Sequence, residues 1–124
     1  MPGKEFYNDM HKSEIVVAGY LNEMGLDWYY QQPVFLYDEN KRPRVWTPDF
    51  YLPALNLYLE VCGSDKFDYV YREEIYKRND IPIVFLHLWK DKKDWRNWLK
   101  TSIVEIEETR HNRVMELVKK LVVK

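Results

Sequence analysis

Residues 83–89, Ile83-Val84-Phe85-Leu86-His87-Leu88-Trp89, carry almost no polar side chain. A run this short cannot cross a membrane and has no wet face, so it reads as a strand covered on both sides. Before it lies a helical pattern over about 68–79, with Tyr69, Arg72, Glu73, Ile75, Tyr76 and Lys77, ending at Asp80-Ile81-Pro82. Before that, Leu55, Leu57, Leu59 and Val61 alternate with Asn56, Tyr58, Glu60 and Cys62, the period-two pattern of a strand with two different faces. Strand, helix, strand is a crossover, and a crossover pairs its strands in parallel. Parallel pairs need helices on both faces, so the fold class is α/β, with a mixed central sheet of about four or five strands flanked by helices.

The remaining segments fit that frame. Ile15, Ala18 and Leu21, with Val17 beside them, recur at helical spacing within 6–24, and Gly25 supplies a stop. Residues 28–37 and 45–52 are aromatic and β-branched and flank a polar turn, predicting a hairpin. The stretch 94–122 reads as one or two helices with an apolar stripe at Ile103, Ile106, Val114, Leu117, Val118 and Leu121, which either caps the sheet or forms a homodimer contact. The 124 residues make one domain, 1–124, with this helical segment at its end. Lys and Arg number 19 against 20 Asp and Glu, a net charge of -1, so any nucleic-acid contact must come from local patches and not from a global basic field. A lone cysteine, Cys62, and no apolar run of membrane length lead to the expectation of a soluble protein in a reducing, cytoplasmic setting, with no membrane partner.

Three carboxylates carry the functional signal. Asp49, in Thr47-Pro48-Asp49-Phe50, and Glu60, in Leu59-Glu60-Val61-Cys62-Gly63, fall on adjacent strands joined by a short turn and can point to one face. Like charges in a partly buried site disfavour each other, and a divalent cation relieves them. Magnesium takes one or two carboxylates with water and a substrate phosphate. The competing reading makes Asp49 a turn residue after Pro48 and Glu60 a solvent-side strand residue; its apolar neighbours Leu59 and Val61 weigh against that. Glu14 heads the apolar face of the first helix and serves either as a third inward carboxylate or as a helix-terminus residue beside Ser13.

Pro48-Asp49, then Glu60-Val61-Cys62, on this order of elements, resembles the PD-(D/E)xK nuclease superfamily over about residues 10–90. The superfamily usually has lysine where Cys62 stands here. Some branches instead resemble Glu-x-x-Gly followed by a tyrosine- and arginine-bearing helix that supplies the lysine; this chain has Glu60-Val61-Cys62-Gly63, then Tyr69, Arg72 and Lys77. The resemblance implies a restriction-endonuclease-like fold and a metal-dependent DNA endonuclease, an endodeoxyribonuclease leaving a 5′-phosphate. It implies Mg²⁺ or Mn²⁺ held by Asp49, Glu60 and the Cys62 carbonyl, with Glu14 a further ligand and Lys77 assisting water attack. Lys66 is the second candidate for the lysine, and a solvated helix-end lysine is the competing reading of Lys77. Cys62 itself is expected to be a small buried residue and not a nucleophile.

Arg44, Lys66, Tyr69, Arg72, Lys92 and Lys93 are the expected DNA contacts. The basic residues at 90–100 interleave with Trp89, Trp95 and Trp98, suited either to gripping and stacking nucleic acid or to packing on a core. Cutting two strands needs two sites, hence the expectation of a homodimer. The missing Glu-x-Lys lysine and the near-neutral charge keep open a second function: a nuclease-fold protein that binds nucleic acid or a protein partner without cutting.

Overall fold

The computed structural model of the chain describes residues 10–63, 68–88 and 94–122. The chain divides into two compact units, 1–92 and 93–124. The first is a mixed α/β unit built from α1 (Lys12–Glu23), β1 (Tyr29–Tyr30), β2 (Val34–Tyr37), β3 (Pro43–Trp46), β4 (Phe50–Leu52), β5 (Leu57–Cys62), α2 (Tyr69–Arg78) and β6 (Ile83–His87). The second contains a single helix, α3 (Trp95–Val122). Among the described residues, no helix is long and apolar enough to cross a membrane.

A four-stranded sheet runs in the order β1-β4-β5-β6, with β5 and β6 parallel and the other pairs antiparallel. The parallel register sets Glu60 beside Phe85 and Cys62 beside His87. Strand alternation places those four side chains on one face, where Cys62 and Phe85 pack with Ile75 and Tyr76 of α2 and Leu36 of β2. Leu57 and Leu59 point the other way and are buried too, and α1, which also packs against β5, buries Val17, Ala18 and Leu21. Central burial on both faces follows from the parallel pair, as the apolar run at 83–88 predicts.

Two expected long strands are each broken. Gln31 adopts a left-handed φ of 56° and Pro33 follows it, dividing β1 from β2. Thr47-Pro48-Asp49 divides β3 from β4 in the same way, because proline offers no N–H to a ladder. The hairpin therefore comprises only β2 and β3, a separate two-stranded sheet, while β1 and β4 join the main one. Asn79, at the end of α2, fastens the hairpin: its side chain donates to the Tyr37 carbonyl and accepts from the Tyr37 N–H, both at 2.9 Å. In α1, Ile15 is exposed where the sequence pattern places it in the apolar stripe; Val17, Ala18, Tyr20 and Leu21 form the buried face. Gly25, at φ 72°, ends α1 in the conformation that glycine adopts without strain.

Candidate functional site

Asp49 occupies the turn between β3 and β4, and its neighbours fix it twice. Its carbonyl accepts from the Gln31 N–H at 2.9 Å, and its carboxylate oxygen Oδ2 accepts from the Val61 N–H at 2.7 Å. That second bond takes the place of a strand–strand hydrogen bond just beyond the last β4–β5 pair, Phe50 with Leu59. Pro48, buried beside it, restricts the turn.

Glu14 arrives from the first turn of α1 and is only 5% exposed. Its Oε1 accepts from the His11 N–H at 2.9 Å and from the Tyr30 hydroxyl at 3.0 Å. The helix-terminus reading and the inward reading both hold, because the same carboxylate closes the N-terminus and reaches Asp49. Ser13, one residue earlier, lies against Gly63, which places this helix start at the C-terminal end of β5.

Glu60, 6% exposed, comes from the α2 side of β5. Side-chain hydrogen bonding links Asp49 to Glu14 and Asp49 to Glu60, so three carboxylates from α1, the β3–β4 turn and β5 meet. Burial, then the hydrogen bond to Glu14, then the charge of Glu60 push Asp49 up to about 9 against the pull of the Val61 N–H. Burial also raises Glu60, opposed by the hydrogen bond with Asp49 and by the positive charge of Arg72. The trio thus holds protons at neutral pH that three solvated carboxylates would release.

Among the described residues, no group of three or more His, Cys, Asp and Glu side chains is arranged as an open cage for a metal ion. The carboxylates turn on one another instead, the geometry of shared protons. Their chemistry nevertheless suits a hard cation: every donor is oxygen, and the charge that burial penalises is the charge such an ion neutralises.

Two expected roles are corrected. The Cys62 carbonyl points to β6, accepting from the Leu88 N–H at 3.1 Å. Amide groups alternate between the two edges of a strand, and it is Val61 whose N–H, and therefore whose carbonyl, faces the Asp49 edge. Lys77 is exposed, about 140° around α2 from the face that buries Ile75 and Tyr76. The cation that reaches the carboxylates is Arg72, half-buried on the inner face.

The Cys62 thiol, fully buried, is raised to about 12 by burial and by the charges of Glu60 and Asp49, which keeps it protonated and unreactive. Tyr69 stands beside it, hydrogen-bonded to its sulfur and packed edge-on to His87 at 5.7 Å. Arg44 is on the hairpin with its guanidinium bound to Asp38 at 3.0 Å. Lys66, Lys92 and Lys93 lie outside the described residues, as does Trp89. Tyr30, absent from the sequence candidates, earns its place through a partner 16 residues away, a distance over which no local pattern operates. No protein-family model, no curated protein and no solved structure matches this chain.

Proposed function

We propose that the chain is a metal-dependent endodeoxyribonuclease of restriction-endonuclease-like fold, and that Glu14, Asp49 and Glu60 are its metal ligands. The meeting of three buried carboxylates beside one arginine carries this reading, because outside function such a cluster is a net cost to the fold. Asp49, Glu60 and the carbonyl of Val61 would hold Mg²⁺ or Mn²⁺, with Glu14 completing the set or orienting a water. The bound ion would supply a polarised phosphate and a water acidified towards neutral pH.

The chain's own residues do the rest. The Val61 N–H keeps Asp49 directed at the cluster, and Tyr30 with the His11 N–H fixes the orientation of Glu14. Arg72 offsets charge on the phosphate from the α2 side, the task that the sequence resemblance assigns to lysine. An arginine does not deprotonate water, so proton removal falls to a carboxylate, with Glu14 best placed.

The test is incubation of the protein with single-stranded, duplex and branched DNA in Mg²⁺ or Mn²⁺, with EDTA as control. Cleavage that is abolished by EDTA, by Asp49→Ala and by Glu60→Ala is the expected result; no cleavage of any substrate contradicts it. One observation favours a second reading, a protein of this architecture that binds DNA or a partner without cutting. No lysine reaches the carboxylates among the described residues, and Cys62, at the usual lysine position, is a protonated thiol. Metal-independent DNA binding without cleavage would select that reading.

A further inference from the structure

The helix α3 is 28 residues long and contains neither glycine nor proline. Every described residue from His111 onward is exposed, yet Val114, Leu117, Val118 and Leu121 recur at 3.6-residue spacing, with Leu117 at 55% and Leu121 at 69% exposure. Ile103 and Ile106 lie on the same stripe. Twelve residues of uncovered helix are marginal in water, so a stripe of this kind needs a partner.

Charge along the helix identifies one. Glu105, Glu107 and Glu108 make its middle acidic, whereas Arg110, Arg113, Lys119 and Lys120 make its end basic, opposed only by Glu116. We propose that the stripe is covered by α3 of a second copy, packed antiparallel about a two-fold axis. In that register Ile103 meets Leu121 of the other copy and Ile106 meets its Val118. Val114 lies on the aliphatic stem of the other Arg110, whose guanidinium is already bound to Glu107 at 2.8 Å. Each acidic middle then lies beside a basic end, whereas parallel packing sets like against like. The surface is self-complementary, as a two-fold contact requires, and a net chain charge of -1 leaves little repulsion between copies. An overlap of about 19 residues, roughly 28 Å, is at the lower limit of specific interfaces, so the dimer dissociates on dilution. This inference rests on α3 alone and stands or falls independently of nuclease activity.

Sedimentation velocity of the full chain between about 1 and 200 µM tests it, with the mass expected to pass from one copy to two. Leu117→Asp with Val118→Asp should leave a monomer at every concentration; both positions are exposed, so a retained thermal transition shows that the core is intact. Glu105→Lys with Glu108→Lys should weaken the dimer about tenfold at low salt, and adding Lys119→Glu with Lys120→Glu should restore it. A monomer throughout, or a dimer indifferent to Leu117→Asp with Val118→Asp, overturns the proposal. A dimer indifferent to the acidic reversal overturns the antiparallel order.

Discussion

The carboxylate cluster and the second half of α3 break the same rule in opposite directions. At one, Glu14 and Glu60 are 5% and 6% exposed; at the other, Leu121 and Val122 are 69% and 77% exposed. The informative departures in any protein are buried polar groups and exposed apolar ones, and here each has a distinct remedy. Backbone N–H groups and Tyr30 satisfy the carboxylates' hydrogen bonds within the chain, so only their charge is left over, and charge calls for protons or a cation. The α3 stripe lacks contacts, and contacts call for another surface. The first departure is chemical and the second is associative.

The largest expected effects separate the cluster from the lysine it resembles having. In the cleavage assay, Asp49→Ala and Glu60→Ala should each lower the rate about 100-fold or more, and Arg72→Ala about tenfold, values typical for lost charge stabilisation at a transition state. Lys77→Ala should remain within about twofold of the parent, as its exposure dictates; a dead Lys77→Ala would return the catalytic role to the lysine. Stability sharpens the contrast between regions. Leu21→Ala, in the buried face of α1, should cost about 2–5 kcal/mol in urea unfolding, and Leu121→Ala, measured on dilute protein, within about 0.5 kcal/mol.

The cluster also sets a pH dependence. Folding raises Asp49 from 3.8 to about 9, so between those values the folded chain holds a proton that the unfolded chain has released. Stability is therefore greatest below the lower value and falls as pH rises through the window, by up to about 1.4 kcal/mol per pH unit for one proton. Metal-free urea titrations should show this fall, and Asp49→Asn should flatten it. Tyr30→Phe gives the smallest effect, about 1 kcal/mol, through the lost hydrogen bond to Glu14.

Much of this architecture is legible in the sequence, and the failures have definite physical causes. The parallel β5–β6 pair follows from an apolar run after a crossover, and the inward Glu14 from its spacing to Val17, Ala18 and Leu21. The breaks at Gln31 and Pro48 were hidden because aromatic and β-branched residues continue on both sides of each. Lys77 and Arg72 differ by five positions, which is nearly half a turn, so the choice between them depends on helix register against the sheet. Whether Cys62 or Val61 offers its carbonyl depends on which strand lies along which edge of β5, and that is a property of topology alone. Asn79 reads as a helix end, and only its partner 42 residues earlier makes it the anchor of the hairpin.

The central claim, that Glu14, Asp49 and Glu60 form a cation site, is tested most directly by calorimetric titration of Mn²⁺ into the protein at pH 6 and pH 8, in two buffers of different ionisation heat. The account predicts binding that strengthens at pH 8, releases protons, and disappears in Asp49→Asn and Glu60→Gln. Absence of binding at pH 8, or binding unchanged in both variants, would contradict it.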